Sequence, residues 1–294
     1  MPSTCRLSVD LDALARNFHT LEAVAGAPAH PVVKADAYGL GASACANRLA
    51  IEGARTFFVA RLDEGVALRE ALGAGPVIYV LEGCYGEGAG QLIEAKLRPV
   101  LNSPQQLSTW TASGGGEAGL QFDTGMSRLG FALSEAPPPF PGLRLVMSHL
   151  SCADQPEAAM NEVQRRAFVA VSARYDGAVR SLANSSGCFL GSHYSFDAVR
   201  PGICLYGGGP QGRPDPRIAP VAALTAQVLQ LVSISAGTSV GYGAAFTAER
   251  PMTIATVGAG YADGLMRINA EAGSVIVASQ QRPLIGRISM DPRR

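Results

Sequence analysis

The feature that most constrains this chain is a repeated alternation. Eight apolar runs, 31–34, 56–60, 77–81, 99–102, 120–123, 145–149, 180–184 and 199–206, are separated for the most part by stretches of helical spacing. Those helical stretches are 11–25, 42–53, 63–73, 87–95, 104–113 and 156–175. A strand that is apolar on both faces belongs in a parallel sheet covered by helices. Eight such units predict a parallel (β/α)8 TIM-type barrel. An open doubly wound sheet accommodates the same alternation, because periodicity does not distinguish closure from a free edge. The barrel is favoured by where the polar residues fall. Lys34, Asp123, His149, Asn184 and Arg200 lie at the C-terminal ends of the runs, the face on which barrels carry their chemistry.

After Tyr206 the pattern changes. GGGPQGRPDPRIAP (207–220) has linker composition, and from Val221 onward β-like runs are joined by Gly-containing turns with no long helix. The expected division is a barrel over 1–214 and a second, mostly β domain over 215–294. The last run, PLIGRISM, stops almost at once in DPRR. It reads as an interior strand with no successor, so the second domain is expected to be incomplete, with an open sheet edge.

Composition narrows the function classes. Of the 294 residues 47% are hydrophobic, and the formal net charge is zero with no basic run, which excludes a nucleic-acid partner. No apolar stretch reaches the length of a membrane span and the N-terminus has no signal-peptide core, so a soluble, cytoplasmic protein is expected. The six cysteines are scattered without a CxxC pair, and no metal site is expected.

Only two of the 24 basic residues are lysines, Lys34 and Lys96. Lys34 closes the first strand in PVVKADAYGLG. A lysine there is either a snorkelling or ion-paired terminus or an amine whose desolvation lowers its pKa and makes it a nucleophile toward carbonyls. Tyr38, Gly39 and Gly41 follow, a phenol donor with close-approach glycines suited to a phosphate or a flat ring. LQFDTGMSRLGF, MSHLSCAD, ANSSG, VRPGICLYG, VGYGAAFTA, GAGYADGLMR and GRISMD complete the unusual segments. Each has an ordinary reading when taken alone: an exposed turn arginine, a structural histidine, turn polar residues, a packing tyrosine.

Together with SVDLDALARNF these segments resemble the alanine racemase family along nearly the whole chain. The resemblance implies a pyridoxal 5'-phosphate cofactor held by Lys34 as a Schiff base, with Tyr38, Ser185 and the N–H groups of Gly202 and Ile203 at its phosphate. Asn184 would lie near that phosphate, His149 beside the pyridine ring and Arg200 facing the ring nitrogen. Arg128 and the Met290 backbone would take the substrate carboxylate. Lys34 and Tyr261 would be the two bases, Tyr261 and Met290 reaching the site of the other subunit in a homodimer. The implied activity is racemisation of alanine, supplying D-alanine for peptidoglycan. A cationic Arg200 cannot give the ring nitrogen a full proton, which disfavours decarboxylation. Asp36 and Leu40 stand where the family more often has Asn and His. Gln121 stands where many members have a carbamylated lysine, so no carbamate is expected, and its amide is free to hydrogen-bond Arg128. Alternatives are a truncated, weakly active or inactive cofactor-binding barrel, or a racemase of broader amino-acid specificity.

Overall fold

The computed structural model describes residues 4–267 and 273–290. The chain divides into two compact units, Val9–Ala222 and a second made of the residues up to Ser8 with Ala223 onward.

The larger unit is a closed parallel barrel. Its regular sheet has the order β2 (Thr56–Val59), β3 (Val77–Val80), β4 (Arg98–Leu101), β5 (Ala118–Gln121), β6 (Leu143–Met147) and β7 (Val179–Ser181), with every neighbouring pair parallel. Two further extended segments, 29–33 and 197–201, close the ring. Val33 N donates to Phe58 O and Phe58 N to Pro31 O, joining the first segment to β2. His30 N donates to Val199 O and Val32 N to Pro201 O, joining it to the last. Asp197 N to Arg180 O and Arg200 N to Ala183 O complete the circuit at β7. Eight strands therefore surround one axis, as the alternation predicts. The run 199–206 is shorter as a strand than the sequence suggests, because Ile203–Tyr206 is a 3-10 turn.

The helices are α1 (Leu11–Ala25), the short turn α2 (Lys34–Gly39), α3 (Ala42–Ile51), α4 (Leu62–Leu72), α5 (Gly88–Glu94), α6 (Pro104–Ala112) and α7 (Ala159–Ser172). Asp10 caps α1 by accepting the Ala13 N–H at 2.8 Å. Asn17, buried on α1, donates to Leu205 O and Ala219 O and accepts from Ala219 N, which fastens the helix to the chain leaving the barrel.

Strand periodicity divides the apolar residues into two layers. Phe57, Ile78, Val80, Leu101, Leu120 and Val146 face outward into a core shared with the helices. Val32, Phe58, Tyr79, Val100, Leu145 and Met147 face inward and fill the barrel. Phe58 and Tyr79 stack at 5.1 Å between ring centroids, with His30 at 6.3 Å from Phe58. Two cores, one on each face, explain why the strands read as nearly continuous apolar runs.

Among the described residues the regular elements of the second unit are strands and 3-10 turns. It contains β1 (Cys5–Val9) paired with β8 (Ala222–Ala226), β9 (Val228–Ile234) with β12 (Met252–Val257), β10 (Ser239–Val240) with β11 (Phe246–Thr247), and β13 (Ser274–Val277) with β14 (Gln280–Pro283). β9 and β12 run antiparallel from Met252↔Ile234, with a bulge at Thr256/Val257. Side chains on both faces of β9 are exposed, Leu231 at 66% and Val232 at 40%.

Phe58 carries much of the inner packing. Phe58→Ala should lower the unfolding free energy by about 3–5 kcal/mol through lost burial and a cavity in the barrel axis. Denaturant unfolding with an unchanged slope would read this directly.

Candidate active site

Strand periodicity also builds the mouth of the barrel. Counting two residues beyond an inward core position gives the next inward side chain: Val32 leads to Lys34, Tyr79 to Leu81, Gly119 to Gln121 and Met147 to His149. All eight of these except Tyr79 and Gly119 line a single cavity of about 310 Å³, with Tyr38, Glu82, Arg128, Asn184, Ser185, Arg200, Gly202 and Ile203 among its other walls. The structure thus brings together every cofactor-site residue expected from the sequence, and Arg128 with them.

Lys34 is reached through unusual backbone. Ala35, Asp36, Ala37 and Tyr38 have φ of 52°, 53°, 54° and 58°, so α2 winds left-handed. Each L-residue so held costs roughly 1–2 kcal/mol, and such geometry persists only where surroundings over-determine it. Ala37 N bonds Val33 O at 2.9 Å, Gly41 N bonds Asp36 O at 2.9 Å, and the Asp36 carboxylate accepts the Ala42 N–H at 2.6 Å. The result carries the chain sideways across the mouth and brings Tyr38 against Gly202. A Cβ on Gly202 would stand 2.2 Å from the Tyr38 hydroxyl oxygen, so only glycine permits this approach. The Ser185 hydroxyl accepts from Gly202 N at 2.8 Å and Cys204 N at 3.2 Å. Hydroxyls and backbone amides so converged suit a phosphate. Tyr38 leans on Tyr206 with centroids 4.8 Å apart, and the Tyr206 hydroxyl donates to Val32 O.

Arg200 is 3% exposed, and among the described residues it has no carboxylate partner. Its guanidinium donates to the Ser181 hydroxyl and to the carbonyls of Ser148 and Leu182. Burial pushes its pKa down to about 9, which leaves it cationic at neutral pH. His149 is held far below the ordinary imidazole value, at about 3, first by burial and then by the charges of Arg200, Arg128 and Lys34. It is therefore neutral.

Arg128 sits on the loop after β5. Burial pushes the Asp123 carboxyl up, but its N–H bonds from Gly125, Met126 and Ser127 outweigh that and leave it below its ordinary value. A Cβ on Gly130 would lie 2.6 Å from Asp123 N, so the loop closes on itself at a glycine with φ 123°. Gln121 does not bond Arg128, contrary to expectation. Its amide donates to Leu129 O at 2.9 Å and holds the backbone beside the arginine, because the loop folds back over the strand end. Among the described residues Arg128 has no hydrogen-bond or ion-pair partner.

Asn184 spans two loops, donating to Leu150 O at 3.3 Å and accepting from Gly187 N at 2.9 Å. In the second unit Tyr261 N bonds Ser289 O and Ala262 N bonds Met290 O, so the GYADG turn and the ISM segment lie side by side. The Arg267 guanidinium stands 5.8 Å from the Tyr261 ring centroid.

Sequence reasoning missed several supporting residues. Gln164, fully buried on α7, donates to Thr124 and to His149 O and accepts from the Ser151 N–H and hydroxyl. It ties the Arg128 loop to the His149 loop. Ser148, which holds Arg200 through its carbonyl, and Ser181, which does so through its hydroxyl, were equally silent, since neither a backbone oxygen nor a strand serine carries a pattern.

Comparison with known proteins now decides the family. The alanine racemase N-terminal domain model matches residues 9–210, and the C-terminal domain model matches 221–292. The chain belongs to the alanine racemase family. An alanine racemase of Cereibacter sphaeroides is 45% identical over 98% of this chain and 84% of its own length. A catabolic alanine racemase of Mesorhizobium japonicum is 44% identical over 97% of this chain and 78% of its own. Among solved structures, the Bartonella henselae alanine racemase with covalently bound pyridoxal phosphate superposes with a TM-score of 0.91 at 36% identity, covering 99% of this chain and 85% of that one. The biosynthetic alanine racemase of Pseudomonas aeruginosa gives 0.90 at 33% identity, with coverage of 99% and 85%. The fold, a TIM-type barrel with a C-terminal β domain, is that of these racemases. The C-terminal domain match runs through 221–292, and the chain spans 84% of the length of the Cereibacter relative.

Gln164→Leu should lower stability by about 3 kcal/mol, since each buried polar partner left unpaired costs ~1–3 kcal/mol, measured by urea unfolding. A pH effect follows from His149 and from His30, which burial, then Arg200, holds at about 4. The unfolded chain takes up a proton at each below the ordinary value of 6.5 while the folded chain does not. Stability should therefore fall as pH drops below that value, by about 1.4 kcal/mol per pH unit per histidine. His30→Leu should remove about half of this slope between pH 6 and pH 5 in unfolding titrations.

Proposed function

We propose that this chain is a pyridoxal-phosphate-dependent alanine racemase that interconverts L- and D-alanine with two bases, works as a homodimer in the cytoplasm, and supplies D-alanine for peptidoglycan. The observation that carries the reading is the convergence of Lys34, Tyr38, Arg128, His149, Ser185, Arg200 and Gly202 on one barrel-mouth cavity. The residues fit the cofactor, because the cradle admits no Cβ on Gly202 and sets the Tyr38 phenol and the Ser185 hydroxyl, with the Gly202 N–H 2.8 Å from that hydroxyl, where a phosphate could be held.

Lys34 would hold the cofactor through its amine. Tyr38, Ser185 and the N–H groups of Gly202 and Ile203 would hold its phosphate, with Asn184 beside them. Arg200 would serve the pyridine nitrogen and His149 the ring. Bound there, the cofactor supplies an electron sink that acidifies the Cα proton of an amino acid. Arg128 and the Met290 backbone of the partner subunit take the substrate carboxylate. Lys34 moves a proton on one face of Cα, and Tyr261 of the partner subunit moves it on the opposite face, since one base cannot serve both. A neutral His149 adds no further charge to a site that already holds Lys34, Arg128 and Arg200. The barrel unit, Val9–Ala222, would carry the cofactor, and the β unit would carry Tyr261 and Met290. The exposure of β9 on both faces and of Ile276 at 79% supports a second copy as the partner, since so much bare strand favours pairing. Among the described residues no helix is long and apolar enough to cross a membrane.

The test uses L-alanine and pyridoxal phosphate in heavy water, following Cα exchange and D-alanine together. Both should appear for the wild-type protein. Lys34→Ala should abolish the borohydride-reducible chromophore, and its persistence would sink the lysine assignment. Tyr261→Phe should reduce racemisation by about 10²–10⁴-fold, the usual worth of a positioned general acid–base.

A further inference from the structure

Glu64 is the third residue of α4 and stands outside the motifs described above. Its Oε2 accepts the Ala60 N–H at 2.8 Å and the Arg61 N–H at 3.3 Å, which closes the N-terminus of α4 as the acidic half of a capping box. Capping occupies only that oxygen. The other, Oε1, accepts the Ala35 N–H at 2.8 Å. That N–H belongs to the planar peptide unit joining Lys34 to Ala35, so the bond fixes ψ of Lys34 and the direction in which its side chain leaves the backbone. Among the described residues no other group from outside 33–42 bonds the backbone of residues 35–38. The remaining bonds of the turn are made within its own segment, and they cannot set its orientation against the rest of the barrel.

We infer that Glu64 is a positioning residue for Lys34: its second oxygen straps the left-handed turn to the loop after β2, so that the lysine amine and the Tyr38 hydroxyl enter the cavity together. The inference rests on the reading of Lys34 as the cofactor-holding lysine. A carboxylate is needed because it presents an acceptor at both ends, whereas an amide presents one. In Glu64→Gln the single carbonyl oxygen goes to the side with two donors, Ala60 and Arg61, and the NH2 group faces the Ala35 N–H. The substitution separates the strap from the helix cap.

Wild type, Glu64→Gln and Ser103→Ala are to be compared. The last removes the cap of a different barrel helix, α6, where the Ser103 hydroxyl accepts the Gln106 N–H at 3.3 Å. Two quantities are read: hydrogen exchange at the Ala35 N–H in cofactor-free protein, and pyridoxal phosphate affinity together with the fraction of Lys34 trapped by borohydride and located by peptide mass. In wild type the Ala35 N–H should be protected. In Glu64→Gln it should exchange about tenfold faster while the first turn of α4 is unchanged, and pyridoxal phosphate should bind about tenfold more weakly, the loss expected for one charge-assisted hydrogen bond. Ser103→Ala should match wild type in both readings despite a lower unfolding midpoint. An Ala35 N–H that exchanges freely in wild type overturns the strap, whatever the variant's stability. So does a Glu64→Gln protein whose affinity and Lys34 trapping equal those of wild type, which leaves Glu64 a helix cap alone. Wild-type protein that takes no pyridoxal phosphate on Lys34 overturns the functional reading and the strap with it, and this outcome is seen before any substitution is made.

Discussion

The two-residue repeat of a strand, locked into a closed ring, governs this molecule. Once Val32, Phe58, Tyr79, Val100, Leu145 and Met147 are committed to the axis, the residues two positions further on must emerge at the rim. Lys34, Leu81 and His149 do so on the same register as the packing beneath them. Hydrophobic burial and the location of the chemistry are thus one constraint. A one-residue slip in any strand would turn its rim residue outward into the helical layer and bring an outward core residue to the axis.

The rim is electrostatically one-sided. Lys34, Arg128 and Arg200 line it, with Glu82 the acidic residue among its walls, and Glu82 lies 3.6 Å from Arg61. Arg200 is held by neutral acceptors, a serine hydroxyl and two carbonyls, so its charge is oriented without being cancelled. Fixed cations of this kind, set in a low-dielectric wall, favour anionic groups such as a phosphate and a carboxylate at little reorganisation cost. The left-handed turn serves the same end, placing a phenol over a glycine where an ordinary strand exit would leave open solvent.

Much of this was legible in the sequence. The strands and helices follow from apolar periodicity, and α1 is found at 11–25 as read. DTGMSR, VRPGICLYG and PVVKADAYG each have an ordinary reading alone, so the candidate site residues were legible through the family resemblance, and the cavity brings those side chains together. What the sequence hid has physical reasons. The handedness of α2 is invisible because Ala, Asp, Ala and Tyr are unremarkable helix or loop residues, and only tertiary contacts hold them at positive φ. The partner of Gln121 was misread because side-chain direction at a strand end depends on how the next loop folds back. Glu64 and Gln164 were silent because an acidic residue in a first turn and a glutamine in a helix have ordinary surface uses, and their long-range bonds join segments 29 and up to 40 residues apart.

The inverted turn also limits how the lineage of this chain can diversify. Most loops accept new side chains freely, but positions 35 to 38 must tolerate a mirror-handed backbone, where a valine, isoleucine or threonine would collide with its own carbonyl. Evolution can therefore tinker with the neighbouring helices and surface far more readily than with these four letters, which form a small genetic bottleneck.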